Sequence, residues 1–179
     1  DGFSDREKQI PVNGQERWYI YSCSKPITCT AALQLWEQGR FSLEDPLSRY
    51  LPEFGEMMVG DRKAENPILI RHLFEMTAGF SYNCASPNLL LAKKETNGKC
   101  PTRETMKYLA KEPLCFEPGK YWQYSLCHDV LGAVIEIVSG KKLEDYMREN
   151  IFEPLGMNAS TFKVDESIAQ KILPQYWYD

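Results

Sequence analysis

Apolar residues recur along this chain at a helical period far more often than at the two-residue period of a strand. The first long example has Ile27, Ala31 and Leu35 at four-residue steps. This spacing predicts a helix with one buried stripe. Because proline is tolerated only within the first helical turn, Pro26 places the expected start of this helix around residues 22 to 24.

Glycines and prolines divide the rest of the chain into further helices and polar connections. The predicted helical segments are Ile68 to Met76, residues 102 to 111 with Thr102 as the cap, Val130 to Gly140, and Leu143 to Ile151. The predicted irregular segments are residues 55 to 67, residues 82 to 101 and a turn at Glu117-Pro118-Gly119. Residues 1 to 21 are expected to hold a hairpin or the end of a strand, and Gly39 is expected to end the first helix.

Composition and charge narrow the class of protein. The 179 residues are 43% hydrophobic and 26% charged, which is typical of a globular domain with its own core. The net charge is −4 and no basic stripe occurs, so nucleic acid is not an expected partner. The apolar runs are too short for a membrane span.

The cysteines and histidines do not form a recognisable metal site. The six cysteines include no CxxC pair, and His72 and His128 are not spaced to complete a zinc site, so we expect no metal. Three disulfides are an alternative, but a chain of this size does not need them and unpaired thiols are favoured. Unpaired thiols favour a cytoplasmic location, with secretion as the alternative if a signal peptide was removed before Asp1.

The stretch YSCSKPIT, residues 21 to 28, places Ser22 three residues before Lys25. Residues three apart on a helix share a face, and a serine hydroxyl needs a neighbouring base before it can attack a carbonyl. A lysine can be that base only if its pKa falls. The same spacing also occurs in ordinary helices, where the serine caps the helix and the lysine is solvated, so spacing alone leaves both interpretations open.

Longer segments around this pair resemble the serine β-lactamase and penicillin-binding protein superfamily, and most of all its class C-type branch with D-alanyl-D-alanine peptidases and several esterases. The segments that carry the resemblance are SCSKPIT, LQLWEQGRFSLEDPLSRYLPEF, ILIRHLFEMTAGFSY, EPGKYWQYSLCHDVLGAVIEIVSG and YMRENIFEPLGMNASTF. The resemblance implies an α+β, β-lactamase/transpeptidase-like fold. This chain would hold mainly the helical subdomain of that fold, with little of the antiparallel sheet.

The resemblance also assigns roles to three side chains. It implies that Ser22 is the acylated nucleophile, that Lys25 is its proton partner and that Tyr124 is the tyrosine of the family's second motif. A phenol beside an ammonium can be held as the phenolate and can then take the serine proton. Without the resemblance, Tyr124 would be interpreted as a core aromatic residue. The resemblance implies no cofactor.

Two departures from the family pattern affect the expected activity. The second motif often reads Tyr-x-Asn, but Leu126 occupies its third position and offers substrate an apolar wall in place of a hydrogen-bonding amide. The family's third motif, Lys or His followed by Thr or Ser and Gly, has no counterpart after Tyr124. We therefore expect a partial domain, with residues 1–21 as the end of the N-terminal sheet region and residues 22–179 as the helical region.

The expected function is acyl transfer by a serine hydrolase on ester, peptide or β-lactam carbonyls, with esters and peptides preferred. The substrate would be a small molecule or peptide. The alternatives are a non-catalytic penicillin-binding sensor or pseudoenzyme, and a helical scaffold without chemistry. A fragment lacking the sheet is expected to be weakly active or inactive, and to self-associate through the face that the sheet would cover.

Overall fold

The structure is a computed structural model that describes residues 2–162 and 164–176. The α-helices of this part are α1 (Ser24–Glu37), α2 (Ile70–Phe74), α3 (Pro87–Glu95), α4 (Thr102–Leu109), α5 (Cys127–Ser139), α6 (Leu143–Met147) and α7 (Glu166–Ala169). The strands are β1 (Phe3–Asp5), β2 (Ile10–Pro11), β3 (Met58–Val59) and β4 (Arg62–Lys63). β1 pairs with β2 and β3 with β4, each as a two-stranded antiparallel sheet.

The core is built around α5. Its residues from Val130 to Ile135 are fully buried, and the helix packs against α1, α2, α4 and α6. Gly132 brings α6 close, because a Cβ at this position would lie 3.0 Å from a methyl carbon of Leu143. Gly140 ends α5 with a φ of 71°, which confirms the predicted helix stop.

The start and the end of α1 also confirm their predictions. A 3₁₀ turn at Tyr21–Cys23 leads into the helix, and Pro26 lies in the first α-helical turn, where no amide hydrogen is needed. At the other end Gly39 has a φ of 67°, and its N–H donates to the carbonyl of Trp36 at 2.8 Å. The buried side chains of α1 lie on one face.

Two segments that were predicted to be irregular contain regular structure. Residues 55 to 67 include the hairpin β3–β4, whose turn places Gly60 at a φ of 59°. Residues 82 to 101 include α3, and its start carries recognisable signals. The hydroxyl of Ser86 accepts a hydrogen bond from the N–H of Leu89, and Pro87 occupies the first helical turn.

Two further predictions were wrong in detail. The residue that caps α4 is Pro101 and not Thr102. The predicted single helix from Leu143 to Ile151 is α6 followed by a π-helical turn at Arg148–Phe152. The hairpin expected within residues 1 to 21 is confirmed as β1–β2, and the exposed residues 18 to 21 form no strand.

Two connecting segments, residues 76 to 79 and 115 to 123, lie side by side and are joined by backbone hydrogen bonds. The N–H of Gly119 donates to the carbonyl of Thr77 at 2.8 Å, and the N–H of Gln123 donates to that of Met76 at 3.0 Å. A Cβ at Gly79 would lie 2.4 Å from the carbonyl oxygen of Phe116, so only glycine fits there. The predicted turn at residues 117 to 119 is confirmed, and this pairing carries the following residues towards the start of α1.

Three properties bear on the function of the chain. Among residues 2–162 and 164–176, no helix combines the length and the apolar character of a membrane span. The same part of the chain contains no cluster of three or more side chains arranged to hold a metal ion. All six cysteines lie in it and carry free thiols, and Cys127 is buried in the core.

Candidate active site

The entry to α1 presents Ser22 at the protein surface. The preceding residue, Tyr21, has a φ of 44°, a left-handed conformation that is uncommon for a bulky side chain. Such a conformation costs about 1–3 kcal/mol and persists only where the surroundings hold it. Both side chains are exposed, so the strained residue lies directly beside an accessible hydroxyl.

The structure brings together Ser22, Lys25 and Tyr124, the three side chains singled out in the sequence. The hydroxyl oxygens of Ser22 and Tyr124 lie 2.5 Å apart, although 102 residues separate them along the chain. The Nζ atom of Lys25 donates to Ser22 Oγ at 3.4 Å. The same ammonium lies 4.8 Å from the centre of the Tyr124 ring. The serine therefore has a phenol and an ammonium as immediate neighbours.

The electrostatics of this group favour the phenol as the proton acceptor. Hydrogen bonding to Lys25, and then to Ser22, lowers the pKa of the Tyr124 phenol. Burial alone would lower the pKa of Lys25, but hydrogen bonding to Tyr124 and the nearby negative charges outweigh it and raise that pKa. A lysine base required the opposite shift. Lys25 does not meet that condition, because its neighbours stabilise the cation.

A second tyrosine, which the sequence did not single out, completes the surroundings of the ammonium. The ring of Tyr82 lies edge-on to that of Tyr124, with 4.9 Å between ring centres and 65° between ring planes. The Nζ atom of Lys25 lies 5.5 Å from the centre of the Tyr82 ring. The only signal in the sequence was an aromatic residue three positions after Gly79, in a segment predicted to be a loop.

Leu126 follows Tyr124 by two residues and is the N-terminal cap position of α5. Its side chain is half-buried against the core, and its N–H donates to the carbonyl of Ser81 at 3.4 Å. It lines a pocket of about 190 Å³ together with polar and apolar residues such as Ser81, Leu109 and Glu112, and Ser22, Lys25 and Tyr124 do not line this pocket. The contribution of Leu126 to substrate binding stays a prediction.

The first turn of α5 supplies further titratable groups near Lys25. The Sγ atom of Cys29 lies 3.4 Å from Nε2 of His128, which joins α1 to α5. Burial, and then the charge of Lys25, lowers the pKa of His128. Burial raises the pKa of Asp129, and the charge of Lys25 offsets part of that rise. The spacing of these residues along the chain does not predict this second group.

Comparison with known families decides where this arrangement belongs. The family model described as Beta-lactamase matches residues 1–177. The chain belongs to the beta-lactamase family. Membership confirms the resemblance drawn from the sequence and the β-lactamase/transpeptidase-like fold, of which the helices and two small sheets form a part.

The similar proteins include hydrolases and a penicillin-binding protein homologue. The esterase EstB of Burkholderia gladioli is 33% identical over 90% of this chain and 42% of its own length. The solved structure of EstCE1, a hydrolase with promiscuous acyltransferase activity, has a TM-score of 0.78 and 31% identity over 96% of this chain and 46% of that one. The octameric penicillin-binding protein homologue of Pyrococcus abyssi has a TM-score of 0.76 and 25% identity, over 99% and 40% of the two chains.

The chain spans less than half of the length of these relatives. The beta-lactamase family and these relatives support the general chemistry of a serine hydrolase.

Proposed function

We propose that the protein containing this chain is a serine hydrolase that transfers acyl groups through Ser22. The observation that carries the proposal is the 2.5 Å separation of the Ser22 and Tyr124 hydroxyl oxygens beside the ammonium of Lys25. A nucleophile within hydrogen-bonding reach of a base, with a third group that orients the base, is the arrangement that covalent catalysis requires.

The proposed reaction assigns each proton to a named atom. The Tyr124 phenolate takes the proton of Ser22, and Ser22 Oγ forms a bond to the acyl carbon. The tetrahedral intermediate then expels the leaving alkoxide or amine, which takes the proton from Tyr124. In the second half, water attacks the acyl carbon and gives a proton to the Tyr124 phenolate. The bond between Ser22 Oγ and the acyl carbon then breaks, and Ser22 Oγ takes the proton back from Tyr124. Lys25 stays an ammonium throughout and stabilises the phenolate.

The developing oxyanion needs backbone donors. The amide of Ser22, in the 3₁₀ turn that leads into α1, is the donor that we propose within this chain, because amides at a helix start favour negative charge. We propose a second donor and one wall of the site in residues beyond the 179 given, since the relatives are more than twice as long. Residues 1–21 and 22–179 would then be the two parts of a partial domain.

We propose an ester as the preferred substrate. Leu126 lies where the family often has an asparagine, and it cannot hydrogen-bond to the amide groups of a β-lactam substrate. Its apolar side chain suits the alkyl or acyl part of an ester. The esterase EstB and the hydrolase EstCE1 among the relatives support this preference.

The test compares two substrates on the full-length protein. A short-chain p-nitrophenyl ester is expected to have a higher kcat/KM than a chromogenic cephalosporin. Ser22→Ala should abolish turnover of both, and slow acylation by penicillins should survive in the unaltered protein. Turnover of the ester that is unaffected by Ser22→Ala would overturn the proposal.

A penicillin-binding module without turnover is the second candidate. It is supported by the similarity to the penicillin-binding protein homologue of Pyrococcus abyssi. In that case a fluorescent penicillin would label Ser22 and remain attached for hours, while no ester or cephalosporin would be turned over. Release of the label at a measurable rate, together with ester turnover, would exclude this candidate.

A further inference from the structure

Tyr82 is placed so that its ring meets both the base and the cation of the proposed centre. Its ring centre is 4.9 Å from that of Tyr124, in an edge-to-face geometry that favours attraction between aromatic rings. The ammonium of Lys25 lies 5.5 Å from the Tyr82 ring centre and 4.8 Å from the Tyr124 ring centre. Both distances fall within the range of cation–π attraction.

The backbone fixes Tyr82 in this position from both sides. The carbonyl of Ser81 accepts a hydrogen bond from the N–H of Leu126, so the Tyr82 segment is tied to the Tyr124 segment. On the other side, the Ser81 hydroxyl accepts from the N–H of Asn83 at 3.0 Å. The Tyr82 side chain is 47% exposed, so a role as core filler does not explain its placement.

We propose that Tyr82 is a positioning residue whose ring, together with that of Tyr124, holds the Lys25 ammonium beside Ser22. This inference rests on the proposed function. Lys25 has four rotatable side-chain bonds, and its long 3.4 Å hydrogen bond to Ser22 Oγ restrains them little. Two aromatic rings on the same ammonium restrict its position and favour its charged form.

The charge state of the site should therefore depend on the Tyr82 ring. The groups that face Lys25 are Tyr82 and Tyr124 on the connecting segments and His128 and Asp129 on α5. With the cation held in place, the pKa of Tyr124 lies below and that of Lys25 above the ordinary value. Activity that needs a phenolate and an ammonium is then confined between these two pKa values.

Loss of the Tyr82 ring should shift the pKa values of Tyr124 and Lys25 in opposite directions. If the ring is removed, the ammonium is held less firmly, so the pKa of Tyr124 rises and that of Lys25 falls. The acidic limb of the pH profile moves to higher pH and the basic limb to lower pH. A residue that only supports the fold would lower the rate at every pH without narrowing the profile.

The test measures the rate of labelling by a fluorophosphonate across pH on the full-length protein. Tyr82→Leu is expected to narrow the profile, with each limb moving by roughly 0.5 pH unit or more. Tyr82→Phe, which keeps the ring but loses the hydroxyl that hydrogen-bonds to Tyr124, should move both limbs most of the way back towards their original positions. Tyr121→Leu is the matched control, because this exposed tyrosine packs on Phe116 and lies outside the proposed centre.

A second series of variants at position 82 keeps the shape of the aromatic ring and reduces only its attraction for the Lys25 ammonium. Phenylalanines with increasing fluorine content at position 82 should narrow the profile step by step. Limbs that stay fixed in this series and in Tyr82→Leu would overturn the role of Tyr82. That result leaves the proposed function intact as long as Ser22→Ala abolishes labelling, whereas an unaltered protein that takes no label at any pH would refute the proposed function itself.

Discussion

The two helices that meet at the site differ sharply in how they are packed. α5 is surrounded by other helices, and its residues from Val130 to Ile135 have no exposed surface. α1 is buried along one face only, and its side chains Leu33 and Trp36 are about two-fifths exposed. α5 positions the segment of Tyr124 from inside the core, whereas α1 carries Ser22 to the surface.

This difference in packing separates the residues that stabilise the fold from the residues that carry the proposed chemistry. The strained residue Tyr21, the exposed hydroxyl of Ser22 and the exposed ring of Tyr82 all lie at the entry to α1 or in front of it. Substitutions in α5 should therefore reduce the free energy of unfolding, and substitutions at the entry to α1 should reduce activity. The predictions below test this division.

The largest effect is expected at Tyr124, which serves Ser22 and not a particular substrate. Tyr124→Phe removes the proposed base and should lower kcat/KM for ester and cephalosporin together by about 10²–10⁴-fold. The melting temperature should hardly change, because the ring is kept. Tyr121→Phe in the same segment is the control and should retain activity. A loss for one substrate only would contradict the assignment of Tyr124 as the base.

The next effect concerns stability. Ile135→Ala leaves a cavity in the fully buried side of α5 and should cost about 2–5 kcal/mol in the free energy of unfolding. Leu33→Ala on the exposed side of α1 should cost less than about 0.5 kcal/mol. Urea unfolding measures both values. Equal losses of unfolding free energy in the two variants would show that the difference in burial between α1 and α5 produces no difference in stability.

A smaller effect is expected on selectivity. Leu126→Asn restores a side-chain amide and should shift the ratio of kcat/KM values towards the cephalosporin by about 1–3 kcal/mol. The Ser22 and Tyr124 contacts are left in place, so ester turnover should fall only modestly. An unchanged ratio would mean that Leu126 does not face the substrate.

The weakest effect is expected on association between copies of this chain. Residues 18 to 21 are exposed and line a groove of about 510 Å³ with apolar residues of the C-terminal region. We predict that the 179-residue chain alone self-associates at micromolar concentration and that Trp18→Ser with Ile20→Ser weakens this. Sedimentation velocity measures the self-association of the unaltered chain and of the double variant. A monomer at all concentrations would contradict the prediction.

The sequence predicted the parts of the fold that depend on local chemistry. Pro26 located the start of α1, and Gly39 and Gly140 located the ends of α1 and α5, because these residue types act through their own backbone conformations. The start of α3 was missed, although Ser86-Pro87 is a recognisable helix start.

The site depended on information that spacing cannot supply. The pairing of Ser22 with Lys25 follows from helical geometry, but the approach of Tyr124 across 102 residues came only from the family resemblance. The Tyr82 ring and the pair Cys29 and His128 were missed, because they meet through tertiary packing. The raised pKa of Lys25 likewise depends on Tyr124, Tyr82 and Asp129, which are distant from it along the chain.

The identity of the nucleophile is tested most directly by locating a covalent adduct. The full-length protein is treated with a fluorophosphonate, digested and analysed by mass spectrometry. We predict one adduct, formed as Ser22 Oγ displaces fluoride from phosphorus, absent in Ser22→Ala and present in Ser24→Ala. An adduct that persists in Ser22→Ala on another serine or on a cysteine, or no adduct at any pH, would contradict the account.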